Sequence, residues 1–208
     1  MFRLALALSI SCNKMLRTER RRFSIIVNRE KHNMLILIIG GARSGKSRFA
    51  QELCKAYEKV VYLATCENID EEMAERIAQH KRNRPDNWQT IEEPINVADV
   101  VARDELAESL ILIDCITVWI GNLCHYHRDL PAKEIQATAL REVERLVAAC
   151  RGKRVVAVTN EVGSGIVPEN ALARLFRDIH GLANQTLARA AEQVYITVAG
   201  IPIEIKST

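Results

Sequence analysis

Residues 35–47 read LILIIGGARSGKS, an unbroken apolar run followed by a glycine-rich octet, Gly40 to Ser47, that fits G-x-x-x-x-G-K-[ST]. The order matters as much as the pattern. A buried strand must deliver the chain to the octet, and a helix must leave it, for the loop's backbone N–H groups and the helix N-terminus to converge on one anion. Both flanks are present. After Ser47, residues Phe49, Ala50, Leu53, Cys54 and Tyr57 fall on one face of a helical wheel. The octet is therefore read as a phosphate cradle in which Gly40, Gly41, Ala42, Arg43, Ser44, Gly45, Lys46 and Ser47 contact nucleotide phosphates. Lys46 has the catalytic part, its ammonium meeting the β- and γ-phosphates, and the Ser47 hydroxyl is a ligand for Mg²⁺.

Working outward, four more runs rich in β-branched residues stand out: VVYLAT from Val60, LILID from Leu110, RVVAVTN from Arg154 and QVYITVAG from Gln193. Near-continuous apolar runs suit strands buried on both faces. Helical patterns lie between them, one from Pro131 to Cys150 and a longer one after Pro168 that repeats Leu172, Leu175, Phe176, Ile179, Leu182, Thr186, Leu187 and Ala190. Alternation of strand and helix predicts an α/β fold with a mostly parallel sheet flanked by helices. AGIP separates QVYITV from IPIEIK, which predicts an antiparallel edge hairpin at the C-terminal end. Asp114 closes LILID and is expected beside the cradle as a second Mg²⁺ anchor, with helix capping as its other reading. Asn160 and Glu161, at the end of RVVAVTN, are expected at the same edge of the sheet, Glu161 as a base or a ligand to metal-bound water.

No linker divides residues 34–208, so they are expected to form a single domain. Residues 1–33 carry eight Lys/Arg against two Asp/Glu, leaving 21 against 24 for the rest, so the overall +3 is no sign of a basic nucleic-acid-binding body. This segment is expected to lie outside the core fold as an upstream extension, a start-site error or a weak targeting sequence. Its apolar stretch, LALALSI, is too short to span a bilayer. The six cysteines are scattered without a C-x-x-C pair, which suits reduced thiols and a cytoplasmic protein. Cys124, His125 and His127 cluster, but no fourth ligand stands at a familiar zinc spacing.

Several segments beyond the octet narrow the reading. In chain order they are GGARSGKSR, YLAT, EMAERIAQHKRNRPDNW, EEP, DCITVWIGNL, TNEVGSGIVPEN and LARLFRDIHGLANQTLA. Together they resemble the bifunctional adenosylcobinamide kinase / adenosylcobinamide-phosphate guanylyltransferase family over nearly all of residues 34–206. The resemblance implies a RecA-like P-loop sheet and a homo-oligomer, a trimer. It implies two reactions: ATP or GTP phosphorylates the aminopropanol hydroxyl of adenosylcobinamide, then GTP donates GMP to that phosphate and pyrophosphate leaves.

The resemblance also assigns residues. The family's R-I-x-x-H pattern falls on Arg76 to His80, implying that His80 carries the GMP as a phosphoramidate, a task suited to imidazole because it is nucleophilic at neutral pH. Spacing alone offers another reading, since His80 shares a helical face with Met73 and Ile77 and suits a core histidine. Lys81, Arg82, Asn83 and Arg84 follow and are implied nucleotide contacts, as are Cys66, Glu67 and Asn68 after YLAT and Glu92 in EEP. Both of these last segments otherwise read as loop, with Glu92 equally a solvated carboxylate. Gln79 and Phe49 stand where family members often carry histidine. Two further readings stay open: a P-loop kinase acting on another small molecule, and a non-catalytic nucleotide-dependent switch.

Overall fold

The computed structural model describes residues 33–67 and 84–207. Asn68, His80, Lys81, Arg82 and Asn83 lie outside the described residues, as does the segment preceding Asn33.

Seven strands form one sheet in the order β3-β2-β4-β5-β1-β6-β7. They are β1 (Met34–Gly40), β2 (Val60–Ala64), β3 (Gln89–Glu92), β4 (Leu110–Asp114), β5 (Arg154–Asn160), β6 (Gln193–Val198) and β7 (Ile201–Ser207). All neighbours pair in parallel except β6 and β7, which are antiparallel. The α/β architecture with an antiparallel edge hairpin is thus the one the alternation of patterns predicts. Strand β3 was not legible in advance. It has four residues, QTIE, only Ile91 of them apolar, and it lies on the sheet's edge where one half-buried side chain suffices. Glu92 therefore ends a strand rather than standing in a loop.

The helices are α1 (Lys46–Cys54), α2 (Val97–Ala102), α3 (Ile116–Tyr126), α4 (Ala132–Ala149) and α5 (Ala171–Ala190). Alternation along each strand sorts the core into two layers. Leu35, Leu37, Val61, Leu63, Ile111, Ile113, Val155 and Ala157 pack with residues of α2 through α5. Met34, Ile36, Ile38, Tyr62, Leu112, Val156 and Tyr195 are buried on the opposite side. There Phe49 of α1 meets Tyr195 edge to face at 5.2 Å.

Helix α5 corrects two details of the sequence reading. Asn170, not Pro168, starts it, its Oδ1 accepting from the Ala173 N–H at 3.0 Å. Its buried face is Ile179, His180, Ala183, Asn184 and Leu187, whereas Leu172 and Leu182 of the apolar stripe are exposed. The helix is rotated because two polar side chains find partners in the core. His180 Nε2 lies 3.1 Å from both the Thr117 and Thr159 hydroxyls, and Thr159 donates to Asn184 Oδ1 at 2.8 Å. A buried polar group so satisfied costs little, and an apolarity count misses it.

Candidate active site

The C-terminal ends of the parallel strands converge on the octet. Gly40 ends β1, and Gly45 caps α1 at φ 98°, a left-handed conformation that glycine adopts without strain. A Cβ on Gly40 would lie 2.5 Å from the Thr197 carbonyl oxygen, so only glycine lets the loop pass this close to β6. Thr197 holds the loop from that side: its hydroxyl shares a 2.8 Å hydrogen bond with Ser44 and donates to the Ile39 carbonyl at 3.3 Å. At the hairpin tip the Gly200 N–H donates to the Ser44 carbonyl at 2.9 Å. Neither Thr197 nor Gly200 stands out in the sequence, because their task is defined only once β6 neighbours β1.

Lys46 is buried and its Nζ donates to the Gly41 carbonyl at 2.5 Å across the loop. Burial lowers its pKa, with Cys115 and Asp114 opposing the shift. Ser47, in the first turn of α1, points its hydroxyl at Asp114 Oδ1, 3.5 Å away. The expected pair of hydroxyl and carboxylate is thus brought together across α1 and β4, although β4 is separated from β1 by β5. The helix-cap reading of Asp114 does not hold, since Cys115 occupies the cap position of α3 and no side chain caps that helix.

The second oxygen of Asp114 is also engaged. Tyr62 Oη donates to Asp114 Oδ2 at 2.7 Å. Burial first and the carboxylate second raise the phenol well above its ordinary pKa, which keeps it a protonated donor. Against the other side of the Tyr62 ring, the Arg84 guanidinium carbon lies 3.4 Å from the ring centroid, and Arg84 also donates to the Thr90 hydroxyl at 3.2 Å. Arg84, Trp88, Thr90 and Glu92 line an adjoining pocket of about 340 Å³.

Cys66 and Glu67 follow β2 at the same edge of the sheet. Their turn is tied to the EEP turn by Asn122 of α3, whose Nδ2 donates to the Thr65 carbonyl at 2.8 Å and to that of Pro94 at 3.1 Å. Thr65 in turn accepts from the Cys115 N–H and donates to its carbonyl, at 2.9 and 2.8 Å. Glu93 is structural, its Oε1 accepting from the Ile95 and Asn96 N–H groups. Asn160 is fixed at both backbone groups: its N–H donates to Thr117 Oγ1 at 2.7 Å and its carbonyl accepts from Asn184 Nδ2 at 3.0 Å. Glu161 is exposed and accepts from the Gly163 N–H at 2.6 Å.

The donor set suits a hard cation. Ser47 and Asp114 offer oxygen ligands only, and Mg²⁺ characteristically takes one or two such side chains and completes its shell with phosphate oxygens and water. Among the described residues no group of three or more His, Cys, Asp or Glu is placed to hold a metal, Cys124, His125 and His127 included. None of the described cysteines forms a disulfide.

A strand–loop–helix phosphate cradle, with a carboxylate from a non-adjacent parallel strand beside it, defines a P-loop nucleotide-binding enzyme. The chain belongs to the cobinamide kinase / cobinamide phosphate guanyltransferase family, whose model matches residues 36–205. It is similar to the bifunctional adenosylcobalamin biosynthesis protein CobU of Escherichia coli (strain K12), 43% identical over 83% of this chain and 100% of that one. The CobU protein of Salmonella typhimurium (strain LT2) is 45% identical with the same coverage. The bifunctional adenosylcobalamin biosynthesis protein CobP of Pseudomonas aeruginosa is 39% identical over 82% of this chain and 96% of that one.

Proposed function

We propose that this enzyme of cobalamin biosynthesis phosphorylates adenosylcobinamide at its aminopropanol hydroxyl with ATP or GTP, then transfers GMP from GTP to the new phosphate. The observation that carries the reading is the junction of two site halves. Asp114, beside the phosphate cradle, is hydrogen-bonded to Tyr62, and Tyr62 underlies Arg84, four residues beyond His80 in the segment that resembles the family's guanylyl-carrying motif.

In the first half-reaction the loop N–H groups and Lys46 hold the β- and γ-phosphates and offset the charge that develops as the γ-phosphoryl group leaves. Ser47 and Asp114 would hold Mg²⁺, which when bound neutralises phosphate charge. In the second, the imidazole of His80 attacks the α-phosphorus of GTP and expels pyrophosphate. The phosphate of adenosylcobinamide phosphate then displaces the imidazole to give adenosylcobinamide-GDP. Arg84 and Glu92, with Cys66 and Glu67 nearby, are assigned to the nucleotide, Asn68, Lys81, Arg82 and Asn83 completing the set.

Among the described residues no helix is long and apolar enough to cross a membrane, and a cytoplasmic location fits the reduced thiols. We assign a homo-oligomer, a trimer. The row of exposed Ile201, Ile203 and Ile205 on the edge strand β7 supports burial against a second copy, and light scattering of the purified protein checks it.

The test is incubation with α-labelled GTP and Mg²⁺. One GMP per chain, stable in base and lost in acid, is expected on His80. In His80→Asn the label and GMP transfer should vanish while phosphorylation of adenosylcobinamide persists. Label on another residue would overturn the role of His80. Absence of any label with intact phosphorylation would favour a plain kinase, and nucleotide binding without acceptor-dependent turnover would favour a switch.

A further inference from the structure

Tyr62 is buried at the junction, 2% exposed, and nothing in the two half-reactions uses it. Its surroundings follow from sheet register. Tyr62 of β2 is paired with Leu112 of β4 and with Thr90 of β3, so its side chain shares a face with Asp114, two residues beyond Leu112. Diagonal neighbours on adjacent strands are within reach of an aromatic side chain, and the phenol spans that gap to Asp114 Oδ2 at 2.7 Å. On the β3 side the same register sets Thr90 beside Tyr62, and Arg84 donates to the Thr90 hydroxyl with its guanidinium carbon 3.4 Å from the Tyr62 ring centroid. Among the described residues the Arg84 Nε is buried without a hydrogen-bond partner, so the ring supplies much of what seats this cation.

A buried tyrosine hydroxyl needs a hydrogen-bond partner, whatever the role of its ring. Here the hydroxyl takes one oxygen of the site carboxylate and leaves the other facing Ser47, 3.5 Å away. We propose that Tyr62 is a positioning residue shared by both halves of the site. Its hydroxyl sets the rotamer of Asp114 beside the phosphate cradle, and its ring seats Arg84 at the neighbouring nucleotide pocket. The inference rests on the reading of Asp114 as a cation ligand and of Arg84 as a nucleotide contact.

Substitutions separate the two ends of the side chain. Tyr62→Phe keeps the ring and removes the donor. The dissociation constant of Mn²⁺, read by electron paramagnetic resonance with the full chain and a non-hydrolysable GTP analogue, should rise about tenfold or more. The KM for GTP in guanylyl transfer should stay within about twofold, because the stacking surface for Arg84 remains. Arg84→Lys should do the reverse, raising that KM roughly threefold to tenfold with Mn²⁺ affinity held, since an ammonium loses the planar contact. Tyr62→Leu should show both defects. Should it fail to fold, the other two variants carry the test, thermal melts confirming that they are folded.

Asp114→Asn distinguishes the ways to fail. Weakened Mn²⁺ binding in Asp114→Asn with wild-type binding in Tyr62→Phe would overturn the role of Tyr62 alone. Unchanged binding in both would overturn it together with the metal reading. Equal loss of both activities in Tyr62→Phe with Mn²⁺ affinity intact would make Tyr62 a core residue and nothing more.

Discussion

Lys46 shows how much one buried cation is asked to do. It is 7% exposed, and burial already lowers its pKa, so its charge is held in place by acceptors such as the Gly41 carbonyl and the nearby Asp114. Lys46→Ala should slow phosphorylation of adenosylcobinamide by about a hundredfold or more, because the loop N–H groups alone cannot balance the charge in the transition state. Single-turnover kinetics with saturating nucleotide check this. A near-normal rate would mean that the cradle is not the site of the kinase step. His180 offers a test of a different kind. Burial lowers its pKa from 6.5 to about 4, against a smaller opposing effect of Glu161. The unfolded chain therefore binds a proton near pH 6.5 that the folded chain refuses until about pH 4. Stability from this group is complete above pH 6.5 and is lost as the pH falls through that window, by about 3 kcal/mol in all. In His180→Gln, which cannot titrate, the melting temperature should fall less steeply between pH 6.5 and 4 than in the parent protein.

Among elements, the β6–β7 hairpin has the least obvious task. It forms the sheet's antiparallel edge, yet its inner strand and its tip brace the phosphate loop through Thr197 and Gly200. Thr197→Val keeps shape and removes the hydroxyl, leaving buried Ser44 without that partner. A loss of roughly 1–2 kcal/mol in stability is expected from such a buried hydrogen bond. The loop should also hold nucleotide less firmly, so a raised KM for the triphosphate should accompany the lower melting temperature. Calorimetry and steady-state kinetics on one preparation check both. Loss of stability without a change in KM would confine Thr197 to packing.

For the molecule as a whole, the question is where the working unit begins. Asn33 is the first residue with a described contact, its Oδ1 accepting from the Gly152 N–H at 3.0 Å, and the register of β1 on β5 runs from Met34 opposite Arg154. Removal of residues 1–32 spares both. Activity and melting temperature should then change little. A large fall in melting temperature for the truncated protein would show that residues 1–32 contribute to the core and that the domain begins before Asn33.

The sequence by itself determined the class of fold and the phosphate cradle, and it marked Ser47 and Asp114 each as a candidate cation ligand. These depend on local order along the chain: a strand, a glycine loop and a helix in immediate succession, and a carboxylate at the end of a buried run. It also carried the family, since TNEVGSGIVPEN and DCITVWIGNL are long enough to be specific. Strand β3, the face that α5 buries, the brace from Thr197 and the position of Tyr62 between Arg84 and Asp114 were decided only by the tertiary structure. Strand order and register bring residues far apart in the chain to within 3 or 4 Å, as Thr197 and Ser44 are across 153 positions, and no periodicity along the chain encodes which strands become neighbours.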